Sequence, residues 1–145
     1  GLQIASVVHD VGKIRIPAEI LTKPSRLDPV EYDLIKTHAQ TGYEILKNIR
    51  FPWPIADIVV QHHERLDGSG YPKGLKGDDI LLEAKILALA DVVESMSTSR
   101  PYRHSLGIDI AIDEITTNRG RKYEPAVVDA FLAIHRQGLW SPETA

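Results

Sequence analysis

Four imidazoles and two carboxylates in this sequence fall where apolar helical stripes should face inward: His9 and Asp10, His38, His62 and His63, and Asp91. Ile35, His38, Gly42, Ile45 and Ile49 share one face at helical spacing, and Ile55, Ile58, Val59 and His62 form a second stripe with His63 beside it. Ala5, Val8 and His9 form a third. Asp91 belongs to a narrow row of small residues, Ala84, Ala88 and Ser95, beside the apolar face Leu82, Ile86, Leu89, Val93 and Met96. Taken singly, each has an ordinary structural reading. His38 alone is a hydrogen-bonded core residue, His62-His63 are one buried and one exposed residue, and Asp91 caps a helix or pairs with an arginine. Taken together they point to metal, because an isolated buried carboxylate costs several kcal/mol unless it is paired or metal-bound. Nitrogen and oxygen donors without sulfur suit Fe(II), Mn(II) or Zn(II). Six such ligands exceed one tetrahedral zinc and suit two octahedral ions that share a bridging carboxylate and water. That arrangement hydrolyses phosphate esters.

The elements that must position these residues read as helices joined by Pro- and Gly-marked loops, without a period-2 strand. The first helix is expected over about 2–10, stopping near Gly12, and a loop through Pro17 and Pro24 has room for one short helical turn. Asp28-Pro29-Val30-Glu31 is a helix start with Asp at the cap, Pro at the first position and Glu three after the cap. That helix should reach about Ile49, where Phe51-Pro52-Trp53-Pro54 breaks it. The next spans 55–64 and enters the glycine-rich run Asp67-Gly68-Ser69-Gly70-Tyr71-Pro72-Lys73-Gly74. Helices over 82–97, 108–117 and 125–136 complete one all-α domain of residues 1–140, followed by a tail over 141–145.

The chain has 145 residues, 43% of them hydrophobic, enough for one domain with its own core. Its net charge of −3 offers no global field for a nucleic acid polymer. The absence of cysteine excludes disulfides and thiolate metal sites and fits a cytoplasmic setting. No apolar run approaches the ~20 residues of a membrane span. The apolar opening Gly1-Leu2-Gln3-Ile4, with neither Met nor a capping residue, reads as a fragment that lacks at least one upstream helix.

Four motifs in order carry a family resemblance. His9-Asp10 with Gly12-Lys13 resembles the signature of the HD phosphohydrolase superfamily, which is helical and metal-dependent. His62-His63-Glu64 through Gly70-Tyr71-Pro72 resembles the motif of its HD-GYP branch. Ala90-Asp91 with Ser99-Arg100-Pro101-Tyr102-Arg103, and Gly120-Arg121-Lys122-Tyr123-Glu124-Pro125, are similar to later segments of that branch. The resemblance implies an HD-type helical bundle with a Gly-rich loop, and an enzyme that hydrolyses cyclic di-GMP to the linear dinucleotide pGpG or on to GMP. It implies that His9, Asp10, His38, His62, His63 and Asp91 bind two divalent ions, or three, with iron or manganese expected and Asp10 the bridge. Lys13 would contact the scissile phosphate. Arg100, Arg103 and Tyr71 would meet the ligand, and Gly70, Tyr71 and Pro72 form a loop implicated in contacts with GGDEF-type cyclases. Without the resemblance, Arg100 and Arg103 read as solvated or as compensating a helix C-terminus, and Gly70-Tyr71-Pro72 as an ordinary turn. The resemblance also implies an upstream sensory or receiver domain.

The sequence departs from the family pattern in places. A further His expected on a helix before His9, and the Glu of trinuclear members, are not present here. Glu94 and Glu124 each stand where Asp is common. The alternative function is therefore a regulatory module that binds a cyclic dinucleotide or a partner without turnover.

Overall fold

The computed structural model describes residues 1–98 and 105–140. Arg100, Arg103 and the tail over 141–145 lie outside the described residues. Within them the chain forms seven α-helices, two 3-10 turns and no strand, with isolated bridges at Asp67–Lys76 and Arg119–Tyr123.

The first helix, α1 (Leu2–Val8), ends two residues before the expected stop at Asp10. His9 is its C-cap and Asp10 opens a 3-10 turn, η1 (Val11–Arg15), which the sequence reading did not anticipate. The reason lies at Gly12. A Cβ there would stand 1.9 Å from the backbone carbonyl oxygen of His38, so only glycine lets η1 press against the long helix α3 (Pro29–Leu46). The short helix α2 (Ala18–Leu21) is the single turn allowed for after Pro17.

Helix α3 starts where the capping signal placed it. The Asp28 side chain accepts from the Glu31 amide at 2.8 Å, and the Glu31 carboxylate accepts from the Asp28 amide at 2.9 Å. It ends at Leu46 rather than Ile49. The chain turns away through Lys47, so Ile49 is half exposed and leaves the core stripe to His38, Ala39, Gly42 and Leu46. Helix α4 (Ile55–Gln61) is likewise shorter than the expected 55–64. The Glu64 amide closes onto the Gln61 carbonyl, and His62, His63 and Glu64 form a turn instead of a further helical segment.

Helices α5 (Leu82–Ser97), α6 (Ile108–Thr117) and α7 (Pro125–Arg136) match the expected spans. A second 3-10 turn, η2 (Gly77–Asp79), leads into α5. On α5, Leu82 is exposed and does not belong to the buried face, which Ala84, Leu87, Ala88, Leu89 and Val93 make instead. That helix joins two cores. Its N-terminal half packs Ala84 and Leu87 against Ala5, Leu46, Ile55, Ile58 and Val59. Its C-terminal half packs Leu89 and Val93 against Ile115, Tyr123 and Val128. Asp91 lies within the C-terminal half, between Leu89 and Val93, whose apolar packing anchors it. Glu124 is the N-cap residue of α7, yet its side chain does not cap; it pairs with Lys85 at 3.0 Å and ties α7 to α5.

Candidate metal centre

Each imidazole of the cluster is aimed by its own helix. His9 and His62 are the C-caps of α1 and α4 and His38 lies midway along α3, and each places Nδ1 on the carbonyl oxygen three residues back: Ser6 at 2.7 Å, Ile35 at 2.6 Å and Val59 at 2.5 Å. A carbonyl only accepts, so Nδ1 carries the proton and the Nε2 lone pair of the neutral ring points away from the helix. This is the tautomer that a metal ligand needs, fixed by a partner outside the ligand set.

The Nε2 atoms converge. His38 Nε2 stands 3.4 Å from His62 Nε2 and 3.2 Å from His63 Nε2. Between His38 and His62 that contact sets one lone pair against another, a repulsion that a cation between them would relieve. Asp10 faces both sides of the cluster. Its Oδ1 lies 3.5 Å from His38 Nε2 and its Oδ2 lies 3.5 Å from His9 Nε2, which in turn is 3.9 Å from Asp91 Oδ1. Two overlapping donor sets result, His38–His62–His63 and His9–Asp10–His62, each with ligand atoms within 4.8 Å of one another. All six residues singled out in the sequence thus meet in one place, and the donor set fits a divalent cation.

The electrostatics suit that role. Burial lowers the pKa of His38, takes that of His62 down to about 3, and lowers that of His63, where the neighbouring rings of His62 and His38 act in the same direction. Burial works to raise the Asp10 pKa, but its hydrogen bond with Lys13 and the Lys13 charge outweigh it, and the carboxyl is held below its usual range. The buried rings of His38, His62 and His63 therefore stay neutral beside an ionised carboxylate. Lys13 donates to Asp10 Oδ2 at 2.5 Å, which puts its charge at the rim of the cluster. A cavity of about 250 Å³ between α1 and α5, lined by His9, Asp10, Asp91 and Glu94 among others, opens onto it.

The Gly-rich loop is built onto this centre. Tyr71 stacks on His63 with ring centroids 4.7 Å apart, and its amide donates to the His63 carbonyl at 3.2 Å. Gly70 permits this, since a Cβ there would lie 2.4 Å from both the His63 carbonyl oxygen and the Glu64 Cα. Burial raises the Tyr71 pKa, so the ring meets the site as a neutral phenol. Glu64 is the residue that sequence reasoning missed. It is 3% exposed, and its carboxylate accepts from the amides of Lys73 at 2.8 Å and Leu75 at 3.0 Å, which clamps the far limb of the loop. A Glu directly after the His-His pair was visible in the sequence, but its partners are backbone groups, which leave no residue-type signal.

Comparison with known proteins identifies the family. The family model described as HD domain matches residues 1–127, a span that holds all six clustered residues. The chain is 44% identical to a cyclic di-GMP phosphodiesterase response regulator of Xanthomonas campestris, covering 90% of this chain and 35% of the relative. It is 41% identical to a cyclic di-GMP phosphodiesterase of Thermotoga maritima, covering 94% and 38%. It is also 39% identical to a 3'3'-cGAMP-specific phosphodiesterase of Vibrio cholerae, covering 88% and 25%. The chain thus spans little more than a third of the length of these relatives at most. Among solved structures, an HDG"Y"P protein from Bdellovibrio bacteriovorus superposes with a TM-score of 0.71 at 20% identity, over 93% of this chain and 43% of that one, which establishes a shared fold. The chain belongs to the HD domain family.

Proposed function

We propose that this chain is the catalytic part of a metal-dependent phosphodiesterase that opens cyclic di-GMP to linear pGpG, or carries it on to GMP, in the cytoplasm. The observation that carries the reading is the His38–His62 contact, two fixed acceptor nitrogens turned on one another beside an ionised carboxylate. His9, Asp10, His38, His62, His63 and Asp91 would hold two divalent ions, or three, with iron or manganese favoured over zinc by the nitrogen and oxygen donors. Bound there, such ions supply Lewis acidity toward a phosphoryl oxygen and activate water.

The chain's own residues do the rest. Asp10, facing both donor sets, would be the carboxylate that the ions share. Lys13 brings an ammonium to the edge of the cluster, where it offsets charge developing on the phosphate. Tyr71 fixes His63 by stacking and offers its ring to the ligand, and Arg100 and Arg103 grip phosphate or guanine. The Gly70-Tyr71-Pro72 loop is available to a GGDEF-type partner, and an upstream sensory or receiver segment would supply the regulation. The names of the Xanthomonas and Thermotoga relatives support cyclic di-GMP as substrate.

The test is to incubate the full-length natural protein, loaded with Mn(II) or Fe(II) under anaerobic conditions, with cyclic di-GMP and to follow products by chromatography. Linearisation that Asp10→Ala abolishes supports the enzyme. Tight binding with no cleavage over hours, for cyclic di-GMP and mixed cyclic dinucleotides alike, would replace it with the receptor module.

A further inference from the structure

A second cavity lies against the Gly-rich loop. Its volume is about 450 Å³, and its walls include Asp33, Lys36, Thr37 and Gln40 of α3 with Tyr71 and Pro72 of the loop. Tyr71 links it to the metal centre, because the ring that lines this cavity also stacks on His63. Helix α3 links them a second time. Asp33 precedes His38 by five residues, about 7.5 Å along the helix axis at 1.5 Å per residue, a separation of the order between the base and the phosphate of one nucleotide.

The chemistry of the walls is that of a nucleobase site. Tyr71 and Pro72 give a flat apolar surface for stacking. The edge opposite carries an acceptor next to a donor: Lys36 Nζ lies 2.5 Å from Asp33 Oδ1, and stands 5.2 Å from the Tyr32 ring centroid and 5.9 Å from that of Tyr71. We propose, building on the phosphodiesterase reading, that this cavity is a guanine subsite in which Asp33 accepts from the base's N1–H and N2 amino group and Lys36 donates to O6. A carboxylate takes two adjacent donors from guanine. Adenine presents there a single amino group beside an unprotonated N1, whose lone pair faces the carboxylate and repels it. A lysine donor matches O6 or N7 of guanine and finds only N7 or N1 on adenine. Asp33 and Lys36 therefore separate guanine from adenine, a distinction that matters because relatives act on cyclic di-GMP in some cases and on 3'3'-cGAMP in others.

Calorimetric titration of the chain with GMP and with AMP, in the presence of Mn(II), tests the subsite without requiring turnover. GMP is expected to bind at least tenfold more tightly than AMP. Asp33→Asn, which keeps the shape but puts a donor amide against the base's donors, should weaken GMP at least fivefold and leave AMP within twofold. The Asp33 side chain is 70% exposed, so the fold survives this change, and an unchanged melting temperature verifies it. Asp33→Ala serves as the second variant and should lower the GMP preference as well. Equal affinity for the two nucleotides, binding of neither, or a GMP preference untouched by both substitutions overturns the subsite. Cyclic di-GMP cleavage is read separately, where Asp33→Asn should raise KM at least fivefold with kcat within twofold. A protein that cuts cyclic di-GMP with the wild-type KM after substitution keeps its activity and loses the subsite. One that binds GMP through Asp33 but cuts no cyclic dinucleotide keeps the subsite and loses the activity.

Discussion

Asp10 turns one carboxylate oxygen to His38 Nε2, 3.5 Å away, and its other oxygen to His9 Nε2 at the same distance. The two histidines come from different helices, and Asp10, the residue that opens η1, faces both. Asp10→Asn is the sharpest probe of this arrangement, since it preserves size and removes the charge. It is expected to lower bound metal by at least one ion per chain, measured by elemental analysis of the protein, and to reduce cyclic di-GMP hydrolysis by at least a hundredfold. A variant that keeps its full metal complement would show that Asp10 is only a hydrogen-bond partner of Lys13.

Gly12 decides whether that carboxylate can be there at all. A methyl group at this position would stand 1.9 Å from the His38 carbonyl oxygen and 2.6 Å from the Gly42 amide nitrogen, so η1 would have to lift from α3. Overpacking of this kind typically costs about 1–3 kcal/mol, which for a chain of this size lowers Tm by roughly 3–10 °C. Gly12→Ala should therefore melt earlier and also bind metal more weakly, because Asp10 and Lys13 move with η1. Thermal unfolding with and without Mn(II) measures both effects. A variant as stable as the wild type would mean that the two segments separate at little energetic cost.

Much of this was legible in the sequence. The capping box at Asp28 and Glu31, with Pro29 at the first position, set the start of α3. The stripes on α3, α4 and α5 placed His38, His62 and Asp91 on inner faces, and they meet there. Helix ends were less legible. Ile49 continued the apolar spacing but lies past the end of α3, and His63-Glu64 continued that of α4 although both belong to a turn. Spacing reports which residues share a face, whereas where a helix stops depends on backbone partners such as Gln61 and His63, which periodicity does not encode. Glu64 is the same lesson at the level of a side chain: its partners are two amides of the loop.

Glu64 offers a graded test of the loop clamp. Its carboxylate holds the Lys73 and Leu75 amides while the residue is almost wholly enclosed. Glu64→Leu removes both acceptors and should destabilise the protein by about 2–4 kcal/mol, the penalty of two partly buried amides left without partners. Glu64→Gln keeps one oxygen and should lose less. Amide exchange at Lys73 and Leu75 is the specific readout and should accelerate in both variants, most in the leucine one. If exchange there were unchanged, the loop would be held by Tyr71 and Gly70 alone.

Metal-free protein should also lose stability as the pH falls. Burial depresses the His62 pKa from 6.5 to about 3, so the folded state keeps this ring neutral while the unfolded chain takes up a proton near pH 6.5. Below that value the unfolded state binds more protons than the folded one, and the stability contributed by neutral His62 is lost as the pH falls toward 3. His38 and His63, shifted downward for the same reason of burial, act in the same sense. The loss reaches up to about 1.4 kcal/mol per pH unit for each group that stays neutral when folded. Urea unfolding of chelator-treated protein at pH 8, 6 and 5 is the measurement, and the midpoint should hold between 8 and about 7 and then drop steeply. Above pH 7 little change is expected, since the rings are neutral in both states. A midpoint that stays flat from pH 8 to 5 would mean that the imidazoles take up protons in the folded state, in conflict with the burial of His38, His62 and His63 and the crowding of their Nε2 atoms.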